Sequence, residues 1–421
     1  MKRLISIIII IFLIFTNITF VSAEDNTPFS YVVIDRSTGD VLLEKNADET
    51  IYPASTTKIL TAIVALENAG LSSYMTTSKV ASGELEAGAV RLGLLPNEKM
   101  QFYDLLHALL LKSANDVAIV IAENIADSVE GFAEMSNEFA KSIGAVNTHF
   151  TNPHGLHDSE HYTTAYDLAV ITSYALKNYA FSSVVSKTDY TLNATDDHVT
   201  FPRLVNSNPI LGKNDGYDFL ITGVKTGYTS KAKYVLVSSA RNYDGREVVC
   251  VVTGCETRLL SSQYSLKLIN EAFNNFSIQS IVKPGDIVTD YLAGSESIPL
   301  ASSKQVDYLL PKDSQKWQIS KNIDLYYDNV SIIEKGDILG ELTYTYEDKQ
   351  IGQSYLVATE EFLPSGIVKE HDVQLTDESL IDKSDHYIWF IISVIWVIML
   401  IVLFYILYIK KPTEQRSRQN D

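Results

Sequence analysis

The spacing of apolar residues changes several times along the chain, and each change predicts a different kind of element. Residues 30–45 hold two short aliphatic runs separated by Arg36-Ser37-Thr38-Gly39-Asp40, which predicts a β-hairpin. From about residue 55 to residue 180, apolar positions recur every three or four residues, which predicts a group of helices. The expected helices begin after Ser55 and cover 104–111, 117–125, 131–143 and 164–179, with Thr164 capping the last.

Continuous aliphatic runs return after residue 218. They predict strands over 219–226, 234–240 and 247–253, followed by a helix over 258–274. Between residues 24 and 275, the predicted strands therefore lie near both ends and the predicted helices lie mostly between them. Residues 24–275 are predicted to form an α+β domain whose sheet is built from both ends of the segment.

Beyond residue 276 the helical periodicity disappears. Short alternating segments such as Leu342-Thr343-Tyr344-Thr345-Tyr346 are separated by turn signals. Two of these turns resemble each other, Lys283-Pro284-Gly285-Asp286 and Lys335-Gly336-Asp337. The pattern predicts a small all-β domain over residues 277–370, followed by a polar, acidic spacer over 371–386.

The first residues have the pattern of a secretory signal peptide. Residues 1–23 combine the basic Lys2 and Arg3, an apolar stretch and the small-residue site Val21-Ser22-Ala23. An uncleaved anchor helix is the alternative interpretation of the same run.

A second apolar run lies near the other end of the chain. As a helix of about 1.5 Å per residue, residues 388–409 would be roughly 33 Å long, enough to cross a bilayer. Lys410 and Lys411 follow it directly. The positive-inside rule then predicts a single transmembrane helix at 387–409, a cytoplasmic tail at 410–421, and residues 24–386 outside the cell membrane.

Composition narrows the possible partners. The 421 residues carry a formal net charge of −18, which argues against nucleic acid. Cys250 lies in an aliphatic run, so it and Cys255 are predicted to be reduced core thiols, with a disulfide as the extracytoplasmic alternative. Two cysteines at this spacing are no metal signature, and no metal or cofactor is expected.

A serine followed three residues later by a lysine occurs at Ser55, Ser230 and Ser280, so this spacing alone is weak evidence. Only Ser55 is expected at a helix start, where positions three apart share one face and Lys58 can reach the hydroxyl. Burial and a second cation, Lys225, would lower the pKa of Lys58 enough for it to act as a base. The alternative is a helix N-cap at Ser55 with a solvated Lys58.

Two further motifs supply what acyl transfer through a serine ester needs. Ser113-Ala114-Asn115 offers a hydroxyl to relay a proton and an amide to hold a substrate, although it can also be a loop that caps the next helix. Lys225-Thr226-Gly227 offers a charge and a hydroxyl to a carboxylate, and its glycine permits close backbone approach. A strand end with a glycine turn is the alternative for the third motif.

With these motifs in this order, the chain resembles the penicillin-binding proteins and β-lactamases. It is most similar to the serine D-alanyl-D-alanine carboxypeptidases, the low-molecular-weight penicillin-binding proteins of peptidase family S11 type. The resemblance runs from about residue 27 to residue 370 and is carried by Tyr52–Lys58, Ser113–Ala118, Asn152–Leu156, Asn206–Asn208 and Lys225–Thr229. It implies a transpeptidase-like domain, an antiparallel sheet with a helical cluster, followed by the small β domain.

The resemblance also implies a reaction. Ser55 would attack the carbonyl between the two terminal D-alanines of a peptidoglycan stem peptide, and Lys58 would take its proton. Ser113 would pass a proton toward the leaving D-alanine, and Asn115 would hold the acyl-side amide. β-Lactams would imitate the dipeptide and leave a slow acyl-enzyme at Ser55.

The third motif is implied to bind the other end of the substrate. Lys225 and Thr226 would hold the terminal carboxylate, with Gly227 giving the ligand access to the backbone. The backbone N–H groups of Ser55 and Tyr228 would form the oxyanion hole.

Other interpretations of the motifs remain open. A β-lactamase would share the motifs, but the Glu-x-x-Leu-Asn stretch typical of class A is absent from the sequence. A D,D-endopeptidase usually lacks the second domain, and a non-catalytic cell-wall binding protein would not need every motif intact. The chain departs from the family pattern in two places. It has Ala232-Lys233-Tyr234 where glycine is frequent, and an uninterrupted apolar span where an amphipathic helix is usual.

Overall fold

The computed structural model describes residues 27–83, 85–86, 88–212, 216–315, 318–326 and 332–364. The predicted signal peptide, spacer, membrane helix and tail (1–23, 371–386, 387–409 and 410–421) lie outside these residues. Within the described ranges, every helix is too short or too polar to cross a bilayer.

The residues up to Asn275 form the elements of the first domain. The strands are β1 (Ser30–Asp35), β2 (Val41–Lys45), β3 (Tyr74–Thr76), β4 (Lys99–Gln101), β5 (Asp189–Tyr190), β6 (Leu204–Val205), β7 (Phe219–Thr229), β8 (Lys233–Asn242) and β9 (Glu247–Cys255). The α-helices are α1 (Lys58–Asn68), α2 (Phe102–His107), α3 (Asn115–Ala126), α4 (Val129–Ser142), α5 (Ala165–Ala175), α6 (Tyr179–Val185) and α7 (Arg258–Asn275). A 3₁₀ turn covers Ala54–Thr57, and a π-helix covers Ala108–Lys112.

Five of these strands form one sheet in the order β2-β1-β9-β8-β7. The predicted hairpin is confirmed, because β1 pairs antiparallel with β2. Strand β1 also pairs with β9, so Val33 lies opposite Cys250. The predicted sheet built from both ends of the segment, and with it the α+β class, is therefore confirmed.

The sheet is buried on both faces, as its aliphatic strands require. Val32 and Val251 face the helical cluster, where α1 contributes the buried Ile59 and Ile63. On the opposite face, the core around Val33, Cys250 and Val252 includes Leu268 and Ile269 of α7. Cys250 and Cys255 are both free and buried, which confirms the prediction of reduced core thiols.

The predicted helix over 164–179 is wrong in its extent, since two helices occupy the region. Thr164 caps α5 as expected, accepting a hydrogen bond from the backbone N–H of Asp167. Helix α5 ends at Ala175, and Asn178 then caps α6 by accepting from the N–H groups of Ala180 and Phe181. The asparagine side chain supplies the bonds that a continuing helix would otherwise make, which explains the break.

The second part of the chain is all-β, as predicted. Its strands are β10 (Phe276–Val282), β11 (Ile287–Ala293), β12 (Glu296–Ser302), β13 (Val306–Pro311), β14 (Ile319–Leu325), β15 (Ile338–Tyr346) and β16 (Lys349–Ala358). Strands β10 and β13 form a pair, and the others form a sheet in the order β11-β12-β16-β15-β14. The two similar turns are confirmed, with Gly285 and Gly336 at φ +87° and +97°.

By contact density the chain divides into two compact units. One contains the described residues of Met1–Lys283, Gln305–Asn322 and Thr343–Gln353, and therefore holds the β10–β13 pair. The other contains those of Pro284–Lys304, Ile323–Leu342 and Ser354–Asp421. The site described below belongs entirely to the first unit.

Candidate active site

Ser55 lies in the 3₁₀ turn that leads into α1, at the predicted helix start. The turn is held by two hydroxyl groups: Thr56 donates to the carbonyl of Pro53 at 2.6 Å, and Thr57 donates to that of Ala54 at 2.8 Å. The N-cap positions of the turn and of α1 are Pro53 and Thr57. The N-cap interpretation of Ser55 is therefore wrong, and its half-buried hydroxyl is left for other chemistry.

Lys58 is fully buried, and its ammonium nitrogen has three partners. Nζ lies 3.1 Å from Ser55 Oγ and 2.8 Å from Asn115 Oδ1, and it also donates to the carbonyl of His154. Two of these partners are carbonyl oxygens, which can only accept. A neutral amine donates its two N–H groups to these two oxygens, so its lone pair faces the hydroxyl of Ser55. The arrangement therefore fits a base that receives the serine proton.

The electrostatic surroundings favour that neutral form. Burial first, and the Lys225 ammonium second, hold the pKa of Lys58 well below its ordinary value, while Asp116 acts in the opposite direction. Both predicted causes are thus present. The solvated-lysine interpretation is wrong, because Lys58 has no exposed surface.

Asn115 is fixed from both ends of its side chain. While its Oδ1 accepts from Lys58, its Nδ2 donates to the carbonyl of Val90 at 3.0 Å. The next residue, Asp116, is fully buried and accepts the N–H groups of Leu92 and Gly93. The 90–93 segment is therefore attached to the start of α3, and this attachment sets the orientation of the amide.

Ser113 has an unusual backbone at the end of the π-helix. Its φ is +68°, in the left-handed region, and the chain then turns into α3. Within the described part of the chain, the buried Ser113 Oγ has no hydrogen-bond partner. The N-cap of α3 is Ala114, without a side-chain bond, so the capping interpretation of this motif is wrong. The hydroxyl is free to bind a substrate.

A loop over Asn152–Leu156 supplies the carbonyl partner of Lys58. Asn152 Oδ1 accepts the N–H groups of His154 at 3.3 Å and Gly155 at 2.7 Å, which closes the loop. Gly155 has φ +81°, and a Cβ there would lie 1.9 Å from the carbonyl oxygen of Ala54. Only glycine lets this loop touch the residue that precedes Ser55.

A buried histidine supports the same turn. His161 Nδ1 accepts the N–H of Thr151 at 3.0 Å, so the ring proton is on Nε2, which donates to Thr57 Oγ1 at 2.8 Å. Burial is the main reason why the pKa of His161 falls to about 3, and the ring is neutral at ordinary pH. This histidine positions Thr57 and carries no charge into the site.

The Lys225-Thr226-Gly227 motif lies within β7, which continues to Thr229. The prediction that the motif ends the strand is therefore wrong, since β8 pairs with β7 as far as Thr229. A Cβ at Gly227 would lie 2.9 Å from the carbonyl oxygen of Pro53 and 3.2 Å from the backbone nitrogen of Ser55. The glycine thus lets the strand lie directly against the nucleophile. Tyr228 follows, with its side chain 55% exposed.

Lys225 is a second fully buried lysine. Burial, and then the charge of Arg258, lower its pKa to about 7. Its Nζ donates to the carbonyl of Thr226 at 3.0 Å. Among the residues that the structure describes, Thr226 is the one hydrogen-bond partner of this nitrogen, so a charged Lys225 is suited to bind an incoming carboxylate.

Two residues of this part of the site were not predicted to have a role. Ser207 Oγ lies 2.9 Å from Thr226 Oγ1, its N–H donates to the carbonyl of Leu111, and its own carbonyl accepts from Arg258. Ser207 therefore links β7, the π-helix and the start of α7. The Asn206-Ser207-Asn208 segment is one of those that resemble the S11-type carboxypeptidases, so it could have indicated Ser207. No motif in the sequence near Arg258 indicates a role for that residue.

The other two serine–lysine pairs are confirmed to lack a helix start. Ser230 lies in the turn between β7 and β8, and Ser280 lies in β10. Lys233, the first residue of β8 after this turn, has φ +57°, a conformation that glycine adopts most easily.

Comparison with known proteins agrees with this geometry. A family model described as D-alanyl-D-alanine carboxypeptidase (peptidase S11) matches residues 17–257, and one described as the C-terminal domain of penicillin-binding protein 5 matches residues 276–362. The chain is 32% identical to the D-alanyl-D-alanine carboxypeptidase DacF of Bacillus subtilis, over 80% of this chain and 87% of that one. It is 27% identical to DacA of Escherichia coli, over 80% and 84%.

A solved structure is similar over both domains. The crystal structure of penicillin-binding protein 5 from Haemophilus influenzae matches with a TM-score of 0.61 at 26% identity, covering 80% of this chain and 97% of that one. Fold and site thus define a penicillin-binding protein with a transpeptidase-like domain and a small β domain. The chain belongs to the S11 family of D-alanyl-D-alanine carboxypeptidases.

Proposed function

We propose that the protein is a serine D,D-carboxypeptidase that removes the terminal D-alanine from peptidoglycan stem peptides. The observation that carries this proposal is the environment of Lys58. Two carbonyl acceptors occupy the two N–H groups of a neutral amine, and the Ser55 hydroxyl lies at the third position, 3.1 Å away. A depressed pKa makes the amine available as the base that a serine nucleophile requires.

Acylation then proceeds in balanced steps. Ser55 Oγ forms a bond to the carbonyl carbon between the two D-alanines as its proton moves to Lys58 Nζ. The backbone N–H groups of Ser55 and Tyr228 stabilise the oxyanion, a position supported by the close approach of Gly227 to the Ser55 nitrogen. The free Ser113 hydroxyl relays the proton from Lys58 to the leaving nitrogen. The C–N bond breaks, D-alanine leaves, and Lys58 is neutral again.

Deacylation reuses the same base. A water molecule loses a proton to Lys58 and attacks the ester carbonyl, and the collapsing intermediate returns Ser55 Oγ with that proton. No metal or other cofactor is needed in these steps. Asn115 holds Lys58 in place. Its side chain can still accept one hydrogen bond at Oδ1 and donate one from Nδ2, and both are available to the substrate amide.

The carboxylate end of the substrate is assigned to β7. Lys225 provides the buried charge and Thr226 a hydroxyl, and the unpredicted Ser207 and Arg258 lie beside them. A free terminal carboxylate is what distinguishes a carboxypeptidase substrate from an internal peptide bond. These residues therefore support removal of the last residue.

β-Lactams are proposed to acylate Ser55, and this provides the test. The ectodomain is incubated with a penicillin and the adduct is mapped by mass spectrometry, with Ser55→Ala as a comparison and Ser230→Ala as the matched control. We expect an adduct on Ser55 in the wild type and in Ser230→Ala only. An adduct that persists in Ser55→Ala would overturn the mechanism. Release of D-alanine from a pentapeptide, without penicillin turnover, separates a carboxypeptidase from a β-lactamase.

We further propose that the protein is secreted through its signal peptide and held in the cell membrane by residues 387–409. The domains at 24–275 and 277–370 would then face the wall, with residues 410–421 in the cytoplasm. Two features of the sequence support this, the apolar run at 388–409 and the lysines that follow it. Protease added to intact cells is expected to release a soluble fragment ending near residue 386. No release, under conditions that cut the purified ectodomain there, would count against the anchor.

A further inference from the structure

A pocket of about 300 Å³ lies beside the site and has no part in the mechanism above. It opens between the segment that precedes Ser55 and the turn that joins β7 to β8. Phe29, Ile51 and Tyr52 give it apolar walls, and Lys231 and Lys233 lie at its polar side.

The direction of the substrate along β7 leads to this pocket. The carboxylate is assigned to Lys225 and Thr226, while the nucleophile lies beside Gly227. The vector from carboxylate to scissile carbonyl therefore points along β7 toward Thr229 and the turn. An extended peptide advances about 3.4 Å per residue. The residue on the acyl side of the two D-alanines is consequently placed beside Tyr228 and Thr229 of β7, and a long side chain on it extends to the turn and the pocket.

The pocket wall is rigidly connected to the nucleophile. Ala232 of the turn is buried in one cluster with Ala54 and Val235, and Tyr52 packs against that cluster. The Tyr52 ring also makes an edge contact with the ring of His157, with centroids 4.7 Å apart. Since Ala54 precedes Ser55 directly, a side chain held by this wall has a fixed distance from the reacting carbonyl.

The charge of the pocket selects among possible side chains. Lys233 is paired with Glu256 at 3.1 Å. Lys231 is exposed and forms no ion pair with any residue that the structure describes. One unpaired ammonium therefore lies beside apolar walls, in a protein whose formal net charge is −18. An aliphatic side chain ending in a carboxylate satisfies both features, whereas one ending in an ammonium is repelled.

We propose that this pocket is a specificity subsite for the residue preceding D-alanyl-D-alanine, and that it favours an aliphatic side chain with a terminal carboxylate. The proposal rests on the proposed carboxypeptidase function and names its preferred substrate class. Tyr52 and Ile51 would pack against the stem of the side chain, and Lys231 would bind its carboxylate.

The test compares three N-acetylated tripeptides, X-D-Ala-D-Ala, in which X is L-2-aminoadipate, L-norleucine or L-lysine. D-Alanine release is measured as kcat/KM. For the wild type we expect the order aminoadipate, norleucine, lysine. An exposed ion pair contributes up to about 1 kcal/mol, so kcat/KM is expected to differ by about 5-fold or less between successive peptides in this order. In Lys231→Glu the ratio of aminoadipate to lysine should invert. Because the readout is a ratio, it does not depend on the fraction of folded enzyme.

Lys267→Glu is the matched control. It makes the same charge change at an exposed lysine of α7, on the other side of the sheet, and should keep the wild-type ratio. Equal kcat/KM for the aminoadipate and lysine peptides, or a ratio unchanged in Lys231→Glu, would overturn the subsite. If no peptide releases D-alanine and no penicillin adduct forms, the proposed function itself has failed.

Discussion

Asn115 Oδ1 lies 2.8 Å from Lys58 Nζ, although the two residues are 57 positions apart. The contact gives the base a neutral acceptor. A neutral acceptor orients the amine without favouring its charged form as strongly as a carboxylate would. The choice of an amide at this position is therefore part of how the site favours the neutral form of Lys58.

Asn115→Asp tests this relationship. A carboxylate at hydrogen-bond distance raises the pKa of a neighbouring amine by about 1–3 units. At pH 7 the neutral fraction of Lys58 should then fall, and penicillin acylation should slow by up to about 1,000-fold. Raising the pH should reduce the difference in rate between the variant and the wild type, by at most about tenfold per unit, until the new pKa is passed. The measurement is the second-order acylation rate of a fluorescent penicillin between pH 6 and 10.

Two variants make that result specific. Asn115→Ala removes the acceptor without adding charge, so it should slow acylation with no alkaline recovery. Asn270→Asp adds the same charge on α7 and should leave the profile unchanged. A profile for Asn115→Asp that runs parallel to that of the wild type would contradict the assigned role of Lys58.

Gly155→Ala should disturb the nucleophile through the backbone. The new Cβ would lie 1.9 Å from the carbonyl oxygen of Ala54, and φ is already +81°. The left-handed backbone costs about 1–2 kcal/mol and overpacking about 1–3 more. We expect a loss of about 2–5 kcal/mol in the free energy of unfolding, together with slower penicillin acylation.

The chain offers a close control for this substitution. Gly144 has φ +96°, and a Cβ added there would meet no atom of the described residues within 4 Å. Gly144→Ala should therefore cost the backbone strain alone and leave acylation unchanged. Thermal unfolding and acylation rates of the two variants are compared. Similar effects in both would mean that the contact with Ala54 has no importance for the site.

Much of the fold follows from local patterns, because periodicity reports which face of an element is buried. The hairpin of β1 and β2 and the aliphatic strands β7 to β9 could be predicted in this way. The break between α5 and α6 was missed, although Asn178 is a residue that favours helix starts. Apolar residues recur with helical spacing on both sides of Asn178, and this pattern was given more weight than one residue that favours a helix start.

The site was predictable only where one motif holds adjacent groups. Ser55 and Lys58 are three positions apart, so helix geometry brings them together. The bond from Ser207 to Thr226 and the position of Arg258 depend on how β7 and α7 pack, and no local spacing encodes such packing. The left-handed backbone of Ser113 likewise depends on the tertiary contacts around the π-helix.

Substrate binding should depend on pH through Lys225. Its pKa of about 7 means that the free enzyme loses this cation as the pH rises. The kcat/KM for a peptide with a free terminal carboxylate should therefore fall above about pH 7. In Lys225→Arg the guanidinium stays charged, and the alkaline fall should disappear even if the overall rate is lower.

The carboxylate itself supplies the control for this pH dependence. An otherwise identical peptide with an amidated carboxyl terminus should show no alkaline fall at about pH 7, whatever its rate. An equal fall for the two peptides in the wild type would assign that pH dependence to a group other than the carboxylate-binding lysine.

Arg258→Ala should shift the same pH dependence in a defined direction. The charge of Arg258 is one cause of the lowered pKa of Lys225, so its removal should raise that pKa. The alkaline fall in kcat/KM should move to higher pH, while the value at pH 6 decreases because a cation near the carboxylate is lost. Arg203→Ala, which removes an exposed arginine paired with Asp189, should move neither. An alkaline limb that stays at the same pH in Arg258→Ala would exclude coupling between the two cations.

The buried charge of Lys225 should also reduce the stability of the fold. Its pKa is about 7 in the folded protein and about 10.5 when unfolded, so between these values the unfolded chain holds the extra proton. The free energy of unfolding contributed by this group therefore rises with pH across that window, and the penalty is largest below pH 7. Lys225→Met should abolish acylation yet stabilise the protein at pH 6 by about 1–4 kcal/mol. Chemical unfolding at pH 6 and pH 9 should show a larger gain at pH 6. Lys267→Met, at an exposed lysine of α7, should show no such difference between the two pH values. If Lys225→Met stabilises the protein less at pH 6 than at pH 9, the cost assigned to the buried cation is refuted.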